Sequence, residues 1–376
     1  MELNFQQVLA QLNTDTPLAI FNVVNQAKPA DSYTLARLMP EIPSDSYHVT
    51  SGDMIVRTTM AMPTAMDSPF PESGVVETRH FSSEAFKFSS QVSLSEKTLR
   101  QIQAMTARLK TTVGPDVALR QLATEVLNFS QKLLAQSHID TFEWMRGQAL
   151  TKGLLDWKYN GVWVEAKYGI PDANKLTART GNDKYAGSSS KFWADVKAAQ
   201  KLLRRNVYAF MVNPNTFEEI MGNEVNALVD VGGSIENGDV LLQRKTGGSA
   251  TAETLERSSS FRIRMVIVRG EGEVLDPTNP GKTILKPFFE DGYMVAVGNN
   301  TSNGYVVGQG STALPDQILG YTHLAPTTEG DGVPGRWGRV YTPEGRPWSL
   351  CGQAVTVGIP VIQSPEKVVI AKTDMS

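Results

Sequence analysis

His138, Asp140 and Glu143 fall within six residues of one another. An imidazole beside two carboxylates could hold a divalent cation or move protons. Their stretch has a helical repeat, however, and positions two apart on a helix diverge by about 200°, so 138 and 140 point to different sides. The three are read as a solvated helix surface. A second candidate, residues 276–283, ends Gly281-Lys282-Thr283 like a phosphate-binding loop. It carries Asp276 where a tight turn around phosphate requires glycine, and Ile284-Leu285-Lys286-Pro287 looks extended rather than helical. Asp239, Glu271 and Glu273 are scattered in loops. The histidines (48, 80, 138 and 323) are far apart and Cys351 is the single cysteine. No zinc site of Cys/His spacing and no intramolecular disulfide can therefore be written. No catalytic, cofactor-binding or metal-binding set emerges, so the sequence predicts a protein that is not an enzyme and uses no cofactor.

Composition narrows the class further. The 376 residues include 36 Lys+Arg and 39 Asp+Glu, a formal charge of −3, with 41% apolar residues. That is an ordinary globular composition, long enough for two or three domain-sized units. Near-neutral charge argues against a dedicated nucleic-acid binder. No apolar run approaches the roughly 20 residues of a membrane span, so no membrane partner is expected. The first basic residue is Lys28, which leaves no positive segment of a secretory signal. Charge is uneven along the chain. Residues 87–120 carry Lys87, Lys97, Arg100, Arg108, Lys110 and Arg120, whereas residues 215–240 carry Glu218, Glu219, Glu224, Asp230, Glu236 and Asp239 and no base. Opposite patches suit head-to-tail contacts between copies, although simple solubility is the default reading of such charge.

The elements that would position these groups read as an α+β chain. Residues 1–46 mix short apolar clusters with Pro29, Pro40 and Pro43. Such a stretch buries little of itself, so it is an arm lying on something else or a loose terminus. In residues 47–91, Met54, Val56, Thr58, Met60 and Met62 alternate with Ile55, Arg57, Thr59 and Ala61, and the chain returns through 75–81 after a proline-rich tip. A hairpin this long is marginal alone in water and must pack on a neighbour or on its own domain. Methionines adapt to irregular surfaces, and Met54, Val56, Met60, Met62, Met66, Phe70 and Phe81 are the candidate intersubunit contacts. A helix starting at Ser95 follows. A longer one then runs from Pro115 toward Gly147, with Leu119, Leu122, Val126, Phe129, Leu133, Ile139, Phe142 and Met145 at helical spacing. Residues 153–161 lead into a short strand at 162–166. A third helix spans about 191–204 with Trp193, Val196 and Leu203 inward, and residues 207–212 form a buried strand. Asn213-Pro214-Asn215 turns into a short helix ending near Gly222. Beyond it, strands are predicted at 262–268, 293–297 and 354–357, then at 361–362 and 368–370.

This order resembles the major capsid proteins of lambda-like tailed double-stranded DNA phages, which have the Hong Kong 97-type capsid fold. Leu38-Met39-Pro40-Glu41-Ile42-Pro43 resembles the family's approach to the hairpin, and residues 86–95 (FKFSSQVSLS) its exit into the first helix. Tyr168-Gly169-Ile170-Pro171 resembles the aromatic-Gly-Ile-Pro segment after the long helix, and residues 358–366 (GIPVIQSPE) the closing segment. The resemblance implies an N-terminal arm (1–46), an extended loop (47–91) and a peripheral domain (92–205) with a spine helix at about 115–147. An axial domain (206–350) and C-terminal strands returning to the peripheral domain (351–376) complete it. It implies a structural protein of the virion, assembled in the bacterial host cytoplasm. Hexamers and pentamers of the chain would close an icosahedral head around double-stranded DNA held without sequence specificity.

Further partners implied are a portal protein and, because the arm starts almost at Met1, a separate scaffolding protein, unless this sequence is the processed form. No lysine occurs from Met54 through Phe86, so no covalent cross-linking through this loop is expected. A decoration protein is then a reasonable source of reinforcement. Two other readings stay open. One is an encapsulin-like nanocompartment shell; the other is an α/β enzyme using His138, Asp140 and Glu143.

Overall fold

The computed structural model describes residues 24–30, 32–57, 75–94, 134–159, 162–234, 238–244, 262–275, 282–299, 318–341 and 350–375, with single helical positions between 97 and 111. One strand, Leu350–Ile362 (β16), organises the first sheet. Its run of Ala, Val and Ile is buried, as a strand covered on both faces requires. Gly320–Ala325 (β14) and Arg336–Tyr341 (β15) lie end to end along one side of β16, pairing with residues 357–362 and 351–356. The excursion between them is closed by a Pro326–Pro334 bridge. Phe86–Leu94 (β4) runs along the other side, from Phe86↔Gly358 to Leu94↔Leu350, and Glu41–Pro43 (β1) adds parallel to β14. The strands expected at 354–357 and 361–362 are thus one, uninterrupted by Pro360. Thr322, opposite Pro360, donates its N–H to Pro40 O (2.8 Å), away from β16. The proline nitrogen therefore faces the side where β4 has already ended at Gly358.

The second sheet has six strands in the order β17-β13-β7-β10-β9-β8. These are Val368–Lys372 (β17), Tyr293–Gly298 (β13), Val207–Val212 (β7), Arg262–Ile267 (β10), Asp239–Arg244 (β9) and Leu228–Ser234 (β8). Two helices, Phe192–Leu202 (α3) and Pro214–Gly222 (α4), form one hydrophobic cluster with Phe210, Val212, Val240, Leu242 and Met265. Asn213 caps α4 by accepting from Thr216 N at 2.8 Å, with Pro214 in the first turn. After α3 the chain passes through Arg204 and Arg205 at φ 52° and 61°. Each such left-handed residue other than glycine costs about 1–2 kcal/mol.

The long helix is described from Gln136 to Lys152 (α2), next to the five-residue helix Thr34–Leu38 (α1). It does not stop at Gly147. A Cβ there would stand 1.7 Å from Phe288 O, so glycine permits close approach rather than ending the helix. Gly153, at φ 65°, ends it. Residues 153–161, expected only to lead into a strand, contain Leu154–Tyr159 (β5), which forms a hairpin with Val162–Lys167 (β6). Another hairpin joins Glu271–Leu275 (β11) to Thr283–Pro287 (β12), matching the extended reading of Ile284–Pro287. Positions 276–281 and the helical stripe 119–133 fall outside the described residues.

Candidate functional site

The segment before α2 is fixed by charge. Arg146 is fully buried; its Nη1 donates to Glu143 Oε2 (3.0 Å), its Nε to Thr322 Oγ1 (2.8 Å) and its Nη2 to Glu41 Oε1 (3.3 Å). Arg336 Nη2 also donates to Glu41 Oε1, and its Nη1 to Ala27 O at 2.9 Å. Leu35 N–H donates to Glu143 Oε1 at 2.9 Å. Two guanidiniums and two carboxylates thereby join residues 27–41 to α2 and to both β14 and β15. Burial pushes the Glu143 carboxyl up, opposed by the Arg146 guanidinium and the Leu35 N–H.

His138, Asp140 and Glu143 are not a solvated surface. His138 and Glu143 are buried, because α2 is covered on several sides by β4, β13, β16 and β17. Nor do they converge. His138 Nε2 lies 3.0 Å from Ser90 Oγ, Asp140 Oδ1 accepts from Tyr33 Oη (2.5 Å) and Gln136 Nε2 (2.9 Å), and Glu143 turns to Arg146. Burial pushes His138 down to about 4, with Arg336 adding to the effect, so its ring is neutral at pH 7. Burial and then Asp140 raise the Tyr33 hydroxyl. Each group tethers a different neighbour to the helix. The signal available in sequence was indirect: a helix polar on several sides that is nonetheless core must satisfy those groups internally. Among the described residues no three His, Cys, Asp or Glu side chains gather as a metal site, and no described helix is long and apolar enough to cross a membrane. Cys351 is buried on β16.

The candidate contact surface is the hairpin of His48–Arg57 (β2) and Val75–Glu84 (β3), ten pairs from His48↔Glu84 to Arg57↔Val75. It forms a two-stranded sheet of its own. Met54 stands opposite Thr78, Val56 opposite Val76 and Phe81 opposite Ser51. Met60, Met62, Met66 and Phe70 lie outside the described residues. Of the basic residues, Lys87 pairs with Glu329, and Lys97, Arg100 and Arg108 are exposed helical positions; Lys110 and Arg120 are outside the description. Of the acidic ones, Glu218, Glu224 and Asp230 are exposed, Glu219 is half-buried and Asp239 pairs with Arg264 (2.6 Å); Glu236 is outside the description.

Comparison with solved structures finds similar chains. A prophage protein of Escherichia coli CFT073 described as a capsid protein aligns over all of both chains with TM-score 0.53 at 11% identity. A chain of Mycobacterium phage Ogopogo aligns over 91% of this chain and 92% of its own (TM-score 0.43, 12% identity). The SrpI encapsulin of Synechococcus elongatus PCC 7942 covers 92% and 88% (TM-score 0.39, 8% identity). No curated protein sequence matches. The sequence model of the family described as phage major capsid protein E matches residues 18–251, more than half of the chain. With polar groups spent on internal ties, a hairpin that forms its own sheet and a capsid-type fold, the chain belongs to the phage major capsid protein E family, structural proteins of the viral shell rather than a class of enzymes.

Proposed function

We propose that copies of this chain associate into hexamers and pentamers and close an icosahedral head around double-stranded DNA, assembled in the cytoplasm of a bacterial host. The observation that carries the reading is the β2–β3 hairpin. Ten pairs long and anchored in the core near its base by Val49, it joins no other sheet among the described residues, and a two-stranded hairpin without a third strand or packed helix is marginal alone. A neighbouring subunit supplies that partner. In this scheme residues 1–46 are the arm, 47–91 the extended loop, 92–205 the peripheral domain with its spine helix, and 206–350 the axial domain. Residues 351–376 close the chain, with β16 alongside β4 and β17 in the sheet of β13 and β7. Met54, Val56, Met60, Met62, Met66, Phe70 and Phe81 are the hairpin's contact residues. Burying each methionine or phenylalanine contributes about 1.5–3 kcal/mol, so a few per interface suffice for cooperative closure of a ring.

A scaffolding protein, a portal and a reinforcing decoration protein are the expected companions. The test is negative-stain microscopy of the purified protein with analysis of particle contents. Shells, rings or tubes are expected, with DNA inside heads formed in the host. A uniform monomer at high concentration would overturn self-assembly, and protein cargo in place of DNA would assign an encapsulin-like compartment instead.

A further inference from the structure

We propose that the end of α3 is a contact site for the phosphate backbone of duplex DNA, formed by Lys197, Lys201, Arg204 and Arg205 and extended by Arg262 of β10; this rests on the DNA-filled head proposed above. A cleft of about 500 Å³ is lined by Lys197, Gln200, Lys201, Arg204 and Arg205, four cations and no acid. An adjoining cleft of about 360 Å³ shares Gln200 and Arg205 with it and continues past Arg262 and Arg264. The four cations of the first cleft and Arg262 are exposed. Arg264 is held by Asp239 and stacks over Tyr208 at 4.7 Å, whereas no acidic partner meets Lys201, Arg204, Arg205 or Arg262 among the described residues. In a chain of net charge −3, this is a strong local excess of positive charge.

The cluster differs from ordinary surface charge in two ways. A helix C-terminus favours cations in its last turn, and Lys201 meets that preference. Lys197 lies a turn earlier and Arg262 on another element, so the dipole does not account for them. Arg204 and Arg205 both occupy the left-handed region, held by N–H bonds to Lys201 O (3.1 Å) and Gln200 O (2.6 Å). Glycine or asparagine would adopt that backbone at lower cost, so it is the two guanidiniums that require explanation. They add planar, multiply donating groups to a crowded positive cleft, a geometry suited to phosphate oxygens.

The lining also selects the kind of polyanion. No aromatic side chain lines the first cleft, and in the adjoining one Phe210 is buried and Tyr208 lies under the Arg264 guanidinium, so no free ring offers the base stacking that holds single strands. Charge without base-reading geometry gives sequence-independent duplex binding. The exposed acids of a second copy are a poorer match, since Glu218, Glu224 and Asp230 are dispersed over α4, the next turn and β8.

The experiment is fluorescence anisotropy of unassembled subunits with an end-labelled duplex of mixed sequence, at about 50 to 200 mM salt. Four phosphate contacts predict a slope of log K against log salt of about −3 to −4. Lys197→Gln/Lys201→Gln/Arg204→Asn/Arg205→Asn should remove about 3 to 4 units of that slope; asparagine is used because it tolerates the left-handed backbone. The helix-surface double Lys197→Gln/Lys201→Gln, which leaves the strained turn alone, should remove about 2 units. Neutralising Lys158 and Lys167 on the β5–β6 hairpin should leave the slope unchanged. Loss of slope in the variants with normal shells by microscopy supports the site. An unchanged slope, or absence of duplex binding by the parent chain, overturns it. Variants that keep the slope but form no shells would reassign the patch to contacts between copies. If the parent chain forms no shells at all, the head reading fails while the slope still decides the patch.

Discussion

The region around α2 and the β2–β3 hairpin solve the same problem, satisfying polar backbone and burying apolar side chains, in opposite ways. Around α2 everything is internal. Arg146 and Arg336 meet Glu41 and Glu143, His138 meets Ser90, and Phe142 and Met145 sit in one cluster with Leu35, Ile359 and Ile370. The hairpin has ten cross-strand pairs and a sheet to itself. One region carries its stability within the chain; the other, in the proposed shell, takes most of its burial from a neighbour. The same difference separates substitutions that unfold the subunit from those that leave it folded but unable to assemble.

The largest effect is expected at the proposed contact of the hairpin with a neighbouring subunit. Met60→Asp or Met62→Asp should yield a folded subunit that closes no shells; normal particles by electron microscopy would break the comparison at its root. Next comes the internal lock. Arg146→Met strands the buried Glu143 carboxylate and should cost about 3–5 kcal/mol in denaturant unfolding, with Glu143→Leu added to it recovering much of the loss. A variant as stable as the parent would show that the network holds nothing.

The third prediction concerns pH. His138 is neutral in the fold, with its pKa lowered to about 4, so the unfolded chain binds the extra proton between about pH 6.5 and 4. The stability that follows is complete above about pH 6.5 and falls as pH drops toward 4, by about 3 kcal/mol over that span. His138→Gln should flatten this part of the stability–pH curve, and an unchanged curve would count against a buried neutral ring. Smallest is Lys87→Ala. Its pair with Glu329 is half-exposed, so less than about 1 kcal/mol is expected, vanishing at high salt.

Much of this was legible in the sequence where local pattern and environment agree. Val207–Val212 and the capped Pro214–Gly222 appear where the apolar run and Asn213-Pro214 place them. The hairpin follows the alternation of Met54 and Val56. Pattern failed where tertiary contact overrides it. Gly147 looks like a helix end until the backbone of Phe288 lies against it, and Pro360 looks like a strand break until β4 stops two residues short. The polar residues of α2 look solvated because helical periodicity assumes one wet face, but only Gln136, Ser137, Asp140, Thr141 and Trp144 line a partly exposed stripe, while His138 and Glu143 turn inward. The spent chemistry of His138, Asp140 and Glu143 was visible only through partners as distant as Ser90, Tyr33 and Leu35.

One connection has a mechanical meaning. The hairpin's second strand, β3, passes through the single residue Ala85 into β4, which lies antiparallel along β16 over nine registered positions. A load applied to the hairpin along that line stretches the β4–β16 bonds together, as in a lap joint, rather than peeling them one at a time. Tension from a neighbouring subunit would therefore be delivered to the longest strand of the molecule in shear, the direction in which a strand pair resists most. In the proposed shell the hairpin would thus act as a strap anchored along β16 through β4.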